Sequence, residues 1–126
     1  MRLLLDSHVL LWWADGGDKL GSRGRRLVEA EENDLIVSAA TWWELSVKKA
    51  YGRLNVDLMV LEPALAARRV VRLDMSFAHA QTAANLPPIH GDPFDRMLIA
   101  QAQIEGLQLL TRDKHLGSYG PAVLCV

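Results

Sequence analysis

Residues 92–106 have the sequence DPFDRMLIAQAQIEG, and this stretch decides the fold class. Asp92 can cap a helix, the proline after it suits the first helical position, and Gly106 suits the helix exit. The apolar run Leu107–Leu110 follows at once, with the length and composition of a buried strand. The stretch therefore predicts a helix over Pro93–Glu105 that leads directly into a strand.

The same alternation of apolar runs and helical periodicity extends along the whole chain. The apolar runs are Leu3–Leu5, Leu35–Val37, Val70–Leu73, Leu107–Leu110 and Ala122–Val126. Further helices are predicted between most of them, at Ser22–Glu32, Ala40–Tyr51, Leu58–Arg69 and Ser76–Asn85. This alternation predicts an α/β fold with a mostly parallel central sheet flanked by helices. No linker or repeat is visible, so we expect a single domain over residues 1–126.

Composition narrows the class of protein. Half of the 126 residues are hydrophobic and 23% are charged, as in one globular domain with a real core. The net charge of −1 predicts no bulk attraction to nucleic acid or to a membrane surface, so any nucleic-acid contact needs a local basic patch. Cys125 is the only cysteine, which excludes an internal disulfide and is consistent with a reducing, cytoplasmic setting. We see no membrane span and no targeting segment.

Four carboxylates occupy positions that a parallel sheet would bring to one edge. Asp6 and Asp113 follow apolar runs, whereas Glu44 and Asp95 lie on predicted helices beside that edge. Ligands of open parallel sheets bind there. Each acid alone has an ordinary explanation as a helix cap, a turn residue or, for Glu44, a surface pair with Lys48. The coincidence of the four positions favours a shared site.

Acids gathered in one cleft repel one another and become protonated unless a cation neutralises them. Ligation by oxygen alone favours Mg²⁺ or Mn²⁺ over zinc. The four histidines show no paired spacing on one helix, so we expect His8 and His90 to be polar edge residues rather than ligands. Because no glycine-rich phosphate loop is present, carboxylate-bound Mg²⁺ indicates hydrolytic cleavage of a phosphodiester.

Four segments also carry a family resemblance: residues 3–8 (LLLDSH), 43–45 (WEL), 91–102 (GDPFDRMLIAQA) and 111–113 (TRD). Together they resemble the PIN-domain ribonucleases, and closely those of the VapC toxin type. The 91–102 segment is the most specific of the four, and the resemblance spans the chain from the first predicted strand to the last.

The resemblance implies both an activity and a set of site residues. The catalytic acids, which also hold Mg²⁺ or Mn²⁺, would be Asp6, Glu44, Asp95 and Asp113. The implied activity is a metal-dependent endoribonuclease that cuts RNA. The resemblance further implies the toxin of a bacterial or archaeal toxin-antitoxin pair, usually a homodimer restrained by its cognate antitoxin.

Neighbouring polar residues supply supporting roles. Asp92 lies close enough to Asp95 in sequence to assist a metal through water. Ser7 and Thr111 flank the acids and can donate hydrogen bonds to a phosphate or to water. Candidate contacts to the RNA backbone are the basic residues near the acidic motifs, although solvated helix faces explain each of them equally well: Lys48, Lys49, Arg53, Arg96 and Arg112.

The sequence contains two pairs of adjacent tryptophans. Trp12–Trp13 and Trp42–Trp43 lie on helices, where neighbours point about 100° apart, so we expect one of each pair in the core and the other exposed for partner contact.

Two other classes of function are also considered. One alternative is a receiver-like signalling module with Asp74 as phosphoacceptor, which leaves Glu44 and Asp95 without a role. The other is a non-catalytic interaction domain whose acids only cap helices.

Overall fold

The structure, a computed structural model, describes residues 1–126 and contains one parallel sheet of five strands. The strands are β1 (Arg2–Leu5), β2 (Asp34–Ser38), β3 (Val71–Leu73), β4 (Gln108–Thr111) and β5 (Val123–Cys125). The helices are α1 (Ser7–Ala14), α2 (Gly21–Glu29), α3 (Ala39–Ala50), α4 (Leu58–Ala67), α5 (Phe77–Ala84) and α6 (Pro93–Glu105). Short 3-10 helices cover Asp18–Leu20 and Lys114–Tyr119. The predicted α/β class is confirmed.

The strand order, β3-β2-β1-β4-β5, puts β1 at the centre. The chain builds outward from β1 in one direction and then returns to add β4 on its other side. The strand order therefore switches beside β1, which is where open parallel sheets bind ligands. Leu5 of β1 pairs with Leu110 of β4, so Asp6 and Thr111 emerge side by side at the carboxyl edge of the sheet.

The central strand is buried on both faces. Leu3 and Leu5 pack into one hydrophobic cluster and Leu4 into another, and all three side chains are fully buried. Side chains of successive strand residues point to opposite faces, so an uninterrupted apolar run is what a strand covered by helices on both sides requires. This burial fixes the position of the strand end that carries Asp6.

The predicted helices and strands are all present, with bounds that differ by a few residues. The helix over Pro93–Glu105 begins and ends as predicted: Asp92 accepts a hydrogen bond from Phe94 N at 2.8 Å, and Gly106 has a φ of 67°. Helix α2 stops at Glu29 rather than Glu32 because Ala30 takes an extended backbone. The 3-10 helix before β5 was not predicted.

The tryptophan prediction is right for one pair and wrong for the other. Trp42 packs against the core while Trp43 is 58% exposed. Trp12 and Trp13 are both half-buried against the core, because the two indoles line a cleft between α1 and α4 that covers part of each.

None of the helices combines the length and the apolar character that crossing a bilayer requires.

Candidate metal centre

Asp6 stands at the end of β1 and has both carboxylate oxygens engaged. Its side chain is buried, Oδ1 accepts a hydrogen bond from Val9 N at 2.8 Å, and Oδ2 accepts one from Thr111 Oγ1 at 2.5 Å. The first bond caps α1. The second joins the ends of β1 and β4, so Thr111 acts on the site by holding this carboxylate.

Burial raises the pKa of Asp6 above its ordinary value. The hydrogen bonds from Thr111 and from the backbone of Val9 lower the pKa and offset part of this rise, while the negative charge of Glu44 raises it further. The ionised form of Asp6 is thus held in an environment that disfavours negative charge. A cation near this carboxylate would relieve that penalty.

Glu44 lies on α3 with its side chain only 6% exposed. Lys48, one helical turn later, donates to Oε2 at 2.6 Å, and Ser7 Oγ lies 3.5 Å from the same oxygen. The expected pair with Lys48 is therefore present, but its acid is buried rather than on the surface. Lys48 thus balances the negative charge of Glu44, which acts on Asp6. The hydroxyl of Ser7 contacts Glu44 and is not free to bind a phosphate.

Asp95 lies in the first turn of α6 and contacts a histidine. His90 Nε2 is 2.9 Å from its Oδ2. Burial raises the pKa of Asp95 to about 6, with further increases from the negative charges of Asp92 and Asp6, while the hydrogen bond from His90 lowers it. Asp92 itself serves as the N-cap, since one of its oxygens accepts from the backbone N–H groups of Phe94 and Asp95.

Asp113 completes the cluster from the end of β4. Its Oδ1 accepts from His115 N at 2.9 Å and so begins the 3-10 helix, and its own N–H donates to Thr111 Oγ1 at 3.0 Å. Single donor atoms of His90, Asp95 and Asp113 all lie within 4.8 Å of one another. These two acids thus lie near enough to each other to be candidates for sharing a cation.

The four predicted acids meet at one sheet edge but do not form one tight set. Asp95 and Asp113 belong to the tight cluster with His90. Asp6 and Glu44 adjoin it, because the charge of Glu44 acts on Asp6 and the charge of Asp6 acts on Asp95. Carboxylate oxygens crowded in this way form the hard donor set that Mg²⁺ or Mn²⁺ takes, so the residues fit such an ion.

The contact of His90 with Asp95 was missed from the sequence. Histidines were expected to act as ligands only when paired on one helix, whereas His90 lies in the loop before α6. A usable signal was its position two residues before the N-cap Asp92 and two residues after Pro88, which ends the stiff Pro87–Pro88 pair. A side chain there is held close to the first turn of α6, where Asp95 lies.

The predicted basic contacts fall into two groups. The guanidinium of Arg96 faces inward and donates to backbone carbonyls of the loop before α6, so its donors are occupied and are not free for a phosphate. Arg112 is exposed, although one of its nitrogens donates to Leu20 O at 2.8 Å. Lys49 and Arg53 are exposed and form no salt bridge.

A parallel five-stranded sheet with acids at the carboxyl ends of β1 and β4 is the arrangement of a PIN domain. The family model of the PIN domain matches residues 3–120, and the chain belongs to this family. It is 33% identical over 119 residues to Ribonuclease VapC22 of Mycobacterium tuberculosis (strain ATCC 25618 / H37Rv), covering 93% of this chain and 91% of that relative. The predicted family is thereby confirmed.

Solved structures share the fold at lower sequence identity. VapBC2 from Rickettsia felis, bound to a DNA fragment from its promoter, superposes with a TM-score of 0.69 at 16% identity, covering 100% of this chain and 98% of that one. A toxin-antitoxin complex from Klebsiella pneumoniae gives a TM-score of 0.65 at 20% identity, with coverages of 97% and 95%. At these sequence identities, the two superpositions show that the fold is shared.

Proposed function

We propose that this chain is a metal-dependent endoribonuclease that cleaves RNA phosphodiester bonds and serves as the toxin of a toxin-antitoxin pair. The observation that carries the proposal is the approach of Asp95 and Asp113 to within 4.8 Å, with buried Asp6 beside them at the switch point of the sheet. Membership of the PIN-domain family and the relative named as a ribonuclease support the same reaction.

The residues that would hold Mg²⁺ or Mn²⁺ are Asp95 and Asp113, with Asp6 and Glu44 beside them. When bound, such a cation supplies Lewis-acid stabilisation of the charge that develops on the phosphodiester and lowers the pKa of water. The raised pKa values of Asp6 and Asp95 support this assignment, because crowded and buried carboxylates gain from a cation.

The chain's other polar groups prepare the site for an anionic substrate. Thr111 fixes the orientation of Asp6 through its hydroxyl, and Lys48 balances Glu44, which limits the negative potential that a phosphate meets. Exposed Arg112 and Lys49 are the proposed contacts to the RNA backbone, together with Arg53. Such contacts position the strand without reading its sequence.

The proposed partners are a cognate antitoxin and a second copy of the chain, and the proposed place of action is the cytoplasm, where RNA is found. Several large apolar side chains are exposed, among them Trp43 (58%), Phe77 (96%) and Met59 (86%). Exposed aromatic and methionine side chains are enriched where proteins bind one another. The likeness in fold to chains solved within toxin-antitoxin complexes is consistent with this proposal.

The two alternative functions have less support. A receiver-like module needs its phosphoacceptor beside Asp6, but Asp74 follows β3, which is an edge strand separated from β1 by β2. A non-catalytic domain explains the capping bonds of Asp6 and Asp113 but not the burial of Glu44 or the approach of Asp95 to Asp113.

The test is cleavage of defined RNAs by the purified protein. A panel of tRNAs, rRNA fragments and mRNA is incubated with Mg²⁺, with Mn²⁺ and with chelator, and the cut ends are mapped. We expect site-specific cleavage that chelator and Asp95→Asn both abolish while circular dichroism shows the fold retained. Full cleavage by Asp95→Asn would rule out the assigned centre, and phosphate transfer to Asp74 would favour the receiver alternative.

A further inference from the structure

The loop between α5 and α6 holds His90 against the acidic cluster. The imidazole Nε2 lies 2.9 Å from Asp95 Oδ2, and one donor atom of each of these two residues lies within 4.8 Å of a carboxylate oxygen of Asp113. The histidine side chain is 28% exposed and that of Asp95 is 22% exposed, so both are partly shielded from water. A shielded contact of this kind restricts the carboxylate more than a surface hydrogen bond does.

The geometry of this hydrogen bond defines what the imidazole does. A ring nitrogen either carries a proton or presents a lone pair, and both point outward in the ring plane along the same direction. For Nε2 of His90 that direction is occupied by Asp95 Oδ2. An ionised carboxylate can only accept a hydrogen bond, so opposite ionised Asp95 the nitrogen is the donor, and it cannot bind a cation at the same time. Oδ1 of Asp95 remains available to a metal.

The side chains of Tyr119 and Arg96 form hydrogen bonds with the backbone of the loop between α5 and α6. Tyr119 Oη accepts from His90 N at 2.8 Å and donates to Pro87 O at 3.0 Å. Arg96 Nη1 donates to the carbonyls of Pro87 at 3.0 Å and His90 at 3.2 Å, and its Nη2 donates to two further carbonyls at 2.9 and 2.8 Å. Arg96 follows Asp95 in α6, so the histidine and the carboxylate are anchored to the same helical turn.

We propose that His90 is a positioning residue, whose Nε2–H holds the carboxylate of Asp95 in the orientation that binds the divalent cation. Arg96 and Tyr119 hold the histidine in place. The inference rests on the proposed metal-dependent nuclease and adds residues to the same site. Hydrogen bonds that orient metal ligands in this way are worth about 10- to 100-fold in metal affinity.

The experiment measures Mn²⁺ binding by isothermal titration calorimetry at one fixed pH, without RNA. His90→Ala is expected to weaken Mn²⁺ binding about tenfold or more. His90→Gln is expected to restore part of the affinity, because the glutamine amide can donate from near the position of the imidazole Nε2. Tyr119→Phe removes the hydroxyl that anchors His90 and is expected to weaken binding by a smaller factor.

A matched control separates this role from a general effect of removing histidine. His115 is exposed, its side chain forms no hydrogen bond, and it lies two residues from Asp113. His115→Ala is therefore expected to leave Mn²⁺ affinity unchanged. Melting temperatures of the metal-free variants are compared with that of the parent protein. Should His90→Ala fail to fold, His90→Gln and Tyr119→Phe carry the same test.

Two results would overturn the inference. One is Mn²⁺ affinity in His90→Ala equal to that of the parent protein, which would leave the nuclease proposal standing. The other is a nitrogen coupling in pulsed EPR of the Mn²⁺-loaded protein that is lost in His90→Ala, because it would make the imidazole a ligand. Absence of Mn²⁺ binding by the parent protein would instead refute the proposed function.

Discussion

Replacing Asp95 by asparagine is expected to stabilise the metal-free protein while it abolishes metal-dependent cleavage. Burial, reinforced by the charge of Asp92, raises the pKa of Asp95 from 3.8 to about 6. A rise of about two units corresponds to about 3 kcal/mol by which ionisation of this carboxylate reduces the free energy of unfolding. Asparagine removes the charge but also weakens the hydrogen bond with His90. We therefore expect a net gain of about 1–2 kcal/mol.

The gain in stability of Asp95→Asn depends on pH, and the raised pKa of Asp95 determines whether it grows or shrinks as the pH rises. The folded state keeps the proton on Asp95 up to about pH 6, whereas the unfolded chain releases it near the ordinary value of 3.8. The stability that this carboxyl contributes is thus fully present at low pH and is lost as the pH rises through that window. Because the weakened hydrogen bond lowers stability at every pH, Asp95→Asn should be less stable than the parent protein by about 1 kcal/mol near pH ~4 and more stable above pH ~7.

Chemical and thermal unfolding in the presence of chelator measure both effects. A gain of 1–2 kcal/mol corresponds to roughly 3 to 8 °C in melting temperature for a chain of this size. Asp34→Asn is the matched control, because Asp34 is exposed and its side chain forms no hydrogen bond or salt bridge. An Asp95→Asn variant less stable than the parent protein at neutral pH, or a gain that does not change with pH, would refute the reasoning.

Three further predictions concern the same edge of the sheet. Asp6→Asn is expected to abolish cleavage but keep the fold, because asparagine can still cap α1 through Val9; loss of the circular dichroism spectrum would contradict this. Thr111→Val, which leaves the buried Asp6 carboxylate without its hydroxyl donor, should lower stability by about 1–3 kcal/mol in urea unfolding, and an unchanged midpoint would count against that bond. Mn²⁺ affinity should fall about tenfold per pH unit below pH ~6, since a proton on Asp95 must leave before the ion binds; titration calorimetry over that range tests it, and a flat profile would exclude the competition.

The elements that were predicted well from the sequence are those whose signals are local. Helix α6 has its cap, its proline and its terminal glycine within the segment itself, and its bounds came out as predicted. The apolar run Leu3–Leu5 likewise marks a strand buried on both faces, and the acid after it marks the strand end. Helix α2 was predicted too long, because nothing in its charged C-terminal residues indicates the extended backbone at Ala30.

The contacts that were not predicted depend on how distant segments pack. The bond between Thr111 and Asp6 joins residues 105 positions apart and requires the pairing of β1 with β4. The orientation of His90 requires Tyr119, which is 29 residues away, and the inward turn of the Arg96 guanidinium. Sequence spacing carries no information on the first contact, and for His90 it indicates only nearness to the first turn of α6, not the orientation of the ring. For that reason Arg96 looked like a phosphate contact.

The ordinary and the functional explanations of the acids turn out to be compatible. Asp6 begins α1, Asp113 begins the 3-10 helix before β5, and Asp92 begins α6 one turn before Asp95. Backbone N–H groups at these helix starts stabilise negative charge, which offsets part of the repulsion among carboxylates at one sheet edge. Glu44 caps no helix but pairs with Lys48, whereas Asp95 caps no helix and pairs with no lysine or arginine, and its pKa is raised to about 6. Capping thus offsets part of the penalty for negative charge on Asp6, Asp92 and Asp113, whereas Asp95 lacks this support and is a group whose charge a cation would stabilise.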